Sequence, residues 1–559
     1  MMFWMVTLAF ADPIVDALED ELERNLTELT IEDAESPWFL GYQLSERENF
    51  FVSASLGGVI NSRRNPIRQL GIRLRVGTPE VDSSRFGSMW DDRGFGSQRL
   101  GIESSPVEIR RAAWLLADEQ YKAAVENLSR KFASRRGQME KERPDDFVPS
   151  EGVQFEAPRG EFPEEVDLTE VCRELSSVFK GHADVVWSQA VCSTSVGRQV
   201  MVDSMGTRVI LPTSHADVIV AGSIRSAEGT WAWDSTHWMV KEVGDLPSLD
   251  EMVAEAESTA LRLESWVEAE PLADEYAGPV LVSGQAAIDL FAQLLLPELG
   301  GTPGSDEVDF TGELELGDSP LRLKRRILPT GFDVIDDPGQ FPSRPGSYTH
   351  DDAGVPAERV DVVVDGLVRN LLMSQIPNKD VSQSNGHGRG GVGTELRGQP
   401  SQMAITHRKS VSWKKLVKQA LTLAGTYEHD YVLWVRSLRE SDLEGKGSPN
   451  FFNGFSLGGD SGPKLSAPLH VVRLYRDGRE EPVRDLEFGS VDARTLREIV
   501  GASGQTTRSF QQPVGQDGYR TLPVTLSVPD VLVSEMVLQP TSGGSREAPQ
   551  LKSPLHVQN

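Results

Sequence analysis

Gly278-Pro279-Val280-Leu281-Val282-Ser283-Gly284-Gln285-Ala286-Ala287-Ile288-Asp289 sets the architecture of the second half of the chain. Pro279 to Ser283 is a short apolar run and reads as a buried strand. Through Gly284 it runs directly into a helix over Gln285 to Leu296. Beyond Pro297 the sequence is rich in turn and strand signals to about Pro540. Two helices interrupt it, Trp413 to Ala424 stopped by Gly425, and Asp492 to Val500 stopped by Gly501. The expectation is a large, mainly antiparallel β-rich domain over residues 278–540.

Upstream the pattern is mixed. Asp12-Pro13 caps a helix whose apolar face carries Ile14, Leu18, Leu22, Leu26 and Leu29. Its other face is acidic and reads as solvated: Asp12 to Glu35 holds ten carboxylates and one arginine. Strands are expected at Trp38 to Leu44, Asn49 to Ile60 and Ile67 to Val76, then a glycine-rich loop at Asp91 to Gly101. Ser105-Pro106-Val107-Glu108 is a capping box for a helix to about Arg136. These elements make an N-terminal α/β domain over 12–136, and residues 137–165 read as a linker or long loop. A middle α/β region over 166–277 follows. It holds a helix at Leu168 to Phe179 and strands at Val185 to Trp187, Arg198 to Val202 and Thr207 to Leu211. A second capping box, Ser248 to Glu251, starts a helix to about Trp266. The fold class is therefore α+β, with mixed sheets and flanking helices in the N-terminal half. Thr541 to Asn559 is polar and is expected to be disordered.

Composition narrows the function. With 56 basic and 84 acidic residues the net charge of the 559-residue chain is -28, which opposes nucleic acid and anionic membrane surfaces. No stretch reaches the ~20 apolar residues of a membrane span. Met1 to Ala11 ends in Ala9-Phe10-Ala11 and resembles the end of a secretory signal peptide, which favours an extracytoplasmic or periplasmic location; without cleavage the protein would be cytoplasmic. Cys172 and Cys192 are too far apart for a CxxC site and read as free, buried thiols; a disulfide between them would require an oxidising compartment. No two of the nine histidines stand three to five residues apart, so no helical turn offers a pair of imidazoles to zinc.

Several chemistries fail on their residues. Gly459-Asp460-Ser461-Gly462-Pro463 lacks the base and acid of a serine triad. Gly445-Lys446-Gly447 lacks Walker spacing. Asp336-Asp337 and Asp351-Asp352 are adjacent on extended chain, so their side chains diverge, and turn capping is the expectation for both. Asn385-Gly386-His387-Gly388-Arg389 could cradle an anion or serve as a flexible loop, with His387 the best candidate for an accessible polar group.

In order along the chain these landmarks resemble the TldD/PmbA family, the TldD/TldE metallopeptidases historically called modulators of DNA gyrase. Gly71-Ile72-Arg73 is similar to its Gly-x-Arg strand, and Gly278 to Ala287 to the start of its C-terminal domain. Asp336-Asp337-Pro338, Asp351 to Pro356, Val364 to Val368 and Asn385 to Arg389 are similar to its later segments. The resemblance implies a zinc-binding H-E-x-x-x-H helix in active members, with a later cysteine as third ligand. Here the matching positions read Gly284, Gln285 and Asp289, and no cysteine follows Cys192. No metal or catalytic residue is therefore expected in this chain, and zinc is expected only in an active homologous partner. The implied role is a TldE-like subunit that pairs with a TldD-like partner, or with itself as a dimer, and takes peptide or unfolded protein. Asn385 to Arg389 are the candidates for a peptide- or partner-facing loop. The alternatives are a stand-alone extracytoplasmic binding protein, or a peptidase with an unrecognised site near His387 or His350.

Overall fold

The computed structural model describes residues 12–87, 95–135, 143–158, 166–227, 229–308, 314–315, 317, 320–439, 465–514, 520–541 and 553–557. The signal-peptide reading of 1–11 and the segments Gly445 to Gly447 and Gly459 to Pro463 lie outside the described residues.

Helix α1 (Pro13–Glu28) begins as expected, with Asp12 accepting from the amides of Ile14 and Val15. Its polar face is only partly solvated. Glu21 is buried and paired with Arg24 and Arg110, because α2 (Pro106–Arg135) packs over it. Strands β1 (Pro37–Ser55) and β2 (Gly58–Val76) replace three expected strands. The two-residue turn Leu56-Gly57, with φ of 48° and 74°, falls inside the stretch read as one strand. β3 (Phe95–Leu100) pairs with β2 where a glycine-rich loop was expected.

The short β4 (Gln154–Glu156) lies in the expected linker. Helix α3 (Thr169–Ser177) precedes β5 (Trp187–Asp203), β6 (Arg208–Arg225) and β7 (Trp231–Val240). The hairpin through Ser204 to Gly206 is as read, but its strands are far longer than the short segments expected. All seven strands share one sheet, so the two N-terminal segments read as separate α/β units form a single layer. Even-numbered β1 residues explain the packing. Leu40, Tyr42 and Leu44 bury against α1 and α2, and Phe50, Val52 and Ala54 against α3 and α4 (Leu249–Glu268). Cys172 and Cys192 are both free and lie inside that second cluster.

After β8 (Glu270–Pro271), β9 (Tyr276–Val282) enters a twelve-stranded sheet, parallel to strand Tyr431–Leu438 and antiparallel to Arg520–Pro540. The α+β class holds. Both sheets are mainly antiparallel, with parallel pairs at β4/β6 in the smaller and at three places in the larger. Helix α5 (Gln285–Leu294) lays Ala287, Leu290, Phe291 and Leu294 on the sheet; a buried Leu or Phe contributes about 1.5–3 kcal/mol. Helix α6 (Trp413–Ala424) matches its expected span, with Gly425 at the C-cap. The expected helix Asp492 to Val500 is instead a 3-10 turn, Ala493–Glu498, and Val500-Gly501 already belong to strand Ile499–Val514. A 3-10 turn at Pro554–Val557 occurs in the C-terminal tail.

Candidate functional site

The turn from β9 into α5 is built on Gly284, whose φ of 57° and ψ of -126° suit glycine and strain any other residue. Its amide donates to Asp530 Oδ1 at 2.9 Å, and burial raises the carboxyl of Asp530. Gln285 and Asp289, four residues apart, share one helix face and are half-buried. These are the positions matched above to the zinc motif. Glycine brings no ligand atom, and glutamine cannot act as a general base. Among the described residues no three His, Cys, Asp or Glu side chains gather as a metal-holding group. The donor set beside α5 does not fit zinc.

Gln285 nevertheless faces a cavity of about 520 Å³ between the two sheets. Its smaller-sheet wall is β7 and α4, contributing Ser235, Arg262 and Trp266. Its other wall comes from strands Tyr431–Leu438, Pro468–Tyr475 and Glu480–Arg484, contributing Arg436, Ser437 and His470. Asp234 anchors the junction. Its Oδ2 accepts from Arg262 Nε at 2.7 Å and lies 3.1 Å from His470 Nε2, and its Oδ1 accepts from the Ser235 amide. Burial alone would raise this carboxyl, but the His470 and Arg262 contacts outweigh it and hold it below the ordinary range. His237 Nε2 lies 2.8 Å from Asp217. Arg436 is stacked on Trp434 and paired with Glu480. Apart from Gln285, none of these cavity residues was found from sequence. They come from separate elements, and no motif spacing links them.

The loop singled out from sequence is elsewhere and is internal. His387 has no exposure, which overturns its reading as an accessible group. Its Nε2 lies 3.2 Å from Asp336 Oδ1, and Nδ1 lies 3.0 Å from the Asn385 carbonyl. Asp336 is not a turn cap as expected; buried at the end of strand Phe332–Asp336, it also accepts from the Ser401 amide and hydroxyl. Asp337 does cap its turn, through the Gly339 amide. Asp351 caps the amides of Ala353 and Val355 and accepts from Gly388 N at 2.8 Å. Complete burial pushes its carboxyl up to about 6.

The glycines of this loop serve close approach. A Cβ on Gly386 would stand 2.2 Å from the Pro356 carbonyl oxygen, and one on Gly388 2.9 Å from Asp351 Oδ2. Asp352 accepts from Gly390 N and faces Arg389 Nε at 3.4 Å, and the Arg389 guanidinium lies over Tyr348. The loop docks on the helix-free face of the smaller sheet, where a Cβ on Gly71 would meet Gly393 N at 2.3 Å. Arg73, buried on the same strand, faces Asp203, Asp351 and Asp352, though its own burial lowers its basicity. Gly71 thus meets Val392-Gly393 across the sequence, and Arg73 faces the Asp351 and Asp352 carboxylates that also hold Gly388, Gly390 and Arg389. His350 lies against Phe155 of β4, with ring centroids 4.5 Å apart.

No curated protein matches the chain. Solved structures do match over nearly its whole length. A protein described as a modulator of a DNA gyrase from Thermotoga maritima superposes at TM-score 0.57 with 14% identity, over 94% of this chain and 99% of that one. TldE from Thermococcus kodakarensis gives 0.54 and 13%, over 94% and 100%. A protein described as a modulator of DNA gyrase from Bacteroides thetaiotaomicron gives 0.57 and 9%, over 95% and 99%. At these identities the likeness is one of fold. The sequence evidence is local: residues 279–432 match the PmbA/TldA metallopeptidase C-terminal domain, and they include the β9–α5 turn, the Asp336 and Asp351 segments and the His387 loop. Residues 279–432 thus carry the PmbA/TldA metallopeptidase C-terminal domain, inside a chain that shares its overall fold with TldE and the two gyrase-modulator proteins.

Proposed function

We propose that this protein is a metal-free, TldE-like subunit of a peptide-processing complex. It completes a chamber with a zinc-bearing homologous partner and admits peptide or unfolded protein. One observation carries the reading. The positions that the resemblance matches to H-E-x-x-x-H read Gly284, Gln285 and Asp289, which offer no imidazole, and a cavity opens beside Gln285. Strand β7 at that cavity pairs only with β6 among the described strands, so an extended peptide can add along its other edge. Met1 to Ala11 supports action outside the cytoplasm.

The test is elemental analysis and peptidase assay of the purified chain, alone and after co-expression with a homologue carrying H-E-x-x-x-H. The chain alone should hold no stoichiometric zinc and cleave nothing, and the pair should co-purify and cleave peptides. Stoichiometric zinc in the chain alone, removed by chelator together with its peptidase activity, would sink the proposal.

A further inference from the structure

Two sets of polar groups stand out around the cavity, whose lining also holds Glu255 and Glu480. Asp234, Arg262, His470 and His237 are engaged with one another or with Asp217. Ser235 Oγ, Ser437 Oγ and Arg436 Nε are buried with no hydrogen-bond partner among the described residues. Ser235 and Ser437 are themselves only 3% and 6% exposed. Buried polar groups in native proteins are nearly always satisfied, so three orphans around one cavity are groups that water or a ligand entering it would satisfy.

Their positions are linked. Ser437 pairs across the strand with His470, whose ring reaches Asp234, the neighbour of Ser235. The two orphan hydroxyls thus flank one contact between the sheets. Arg436 is held by Trp434 and Glu480, so its guanidinium is positioned before any ligand arrives.

Arg436 Nε can only donate, and each serine hydroxyl has a proton to give. Three donors without acceptors call for an acceptor-rich group, and the guanidinium favours an anionic one. Trp266, Leu469 and Pro482 supply apolar wall, and the volume is that of a small-ligand pocket. We propose that this cavity recognises a carboxylate of the bound peptide, either its C-terminal group or an Asp or Glu side chain. The inference rests on the peptide-cleft reading above. The chain's charge of -28 repels anions at long range, but salt screens that field beyond about 8 Å, leaving recognition to the local donors.

Three random-sequence octapeptide pools test it on the immobilised full chain, with retention read by mass spectrometry. One is amidated and free of Asp and Glu, one has the same composition with free C-termini, and one is amidated with a single Glu. A carboxylate pool should be retained about ten-fold over the neutral pool, the size of one charge-assisted contact. Which pool it is identifies the source. Arg436→Gln and Ser437→Ala, with melting temperatures checked against wild type, should each erode that preference. Equal retention of all three pools overturns the carboxylate inference and leaves the peptide cleft standing. Retention of none overturns both. A preference unchanged in both variants overturns the assignment to this cavity.

Discussion

His470 Nε2 stands 3.1 Å from Asp234 Oδ2, so a single imidazole ties strand Pro468–Tyr475 of the larger sheet to β7 of the smaller. Asp234 is almost fully buried and holds Arg262 as well. Asp234→Asn removes the charge that both partners share. Because Arg262 is about a third exposed and keeps some hydration, the expected loss is about 2 kcal/mol, below the range for a fully buried pair. Urea denaturation at pH 7 measures it. Asp234 has a lowered folded pKa, so its contribution is present above 3.8 and is lost as pH falls through the lower folded value. Acid titration of the variant should lack that loss.

Asp351 has the opposite sign. Its folded pKa is raised from 3.8 to about 6, so between those values the folded state binds more protons than the unfolded. Stability falls as pH rises through that window and is flat above it. The drop across the whole window is on the order of 3 kcal/mol for this group. Asp351→Asn keeps Oδ1 for the Ala353 and Val355 amides but replaces Oδ2, the acceptor of the Gly388 amide, with a donor, so it is less stable overall, but its stability should no longer carry that slope. Urea midpoints at pH 4.5 and pH 7 for both proteins decide it.

Restoring the motif alone should not restore the metal. Gly284→His with Gln285→Glu and Asp289→His supplies two imidazoles, but no cysteine follows Cys192, and histidine at φ 57° is strained. Elemental analysis of the triple variant should find well under one zinc per chain. Stoichiometric zinc would show that the turn relaxes and that another group completes the site.

Gly71→Ala drives a methyl group to 2.3 Å from the Gly393 amide nitrogen. Overpacking of this kind costs about 1–3 kcal/mol. The loop that includes Asn385 to Arg389 should then loosen from β2, and limited proteolysis should cut near Gly390 to Gly393 faster than in wild type. An unchanged cleavage pattern would mean that the loop is held elsewhere.

The local signals were readable where the chain writes its own boundary. Asp12 before Pro13, Ser248 with Glu251, and Gly425 after Ala424 each cap a helix through atoms a few residues away. The misses share a different cause. Leu56 is no turn former, and only pairing with the far side of the hairpin forces its positive φ, so the β1–β2 turn was read through as strand. Phe95–Leu100 becomes a strand because β2 offers it an edge. His387 looked accessible because glycines surround it, yet those glycines let the backbone approach Pro356 and Asp351. Ser235 and Ser437 belong to different sheets, and no periodicity within either strand announces their meeting.

The Gly71–Gly393 contact bears on biogenesis. Translation delivers Gly71 and Arg73 long before Gly393 or Asp351 exists. Until synthesis is well past the His387 loop, the helix-free side of the first sheet has a buried-type arginine and a backbone-wide notch open to water or to any passing strand. Early N-terminal intermediates therefore lack the cover of this face, and misassembly during synthesis is expected to begin there.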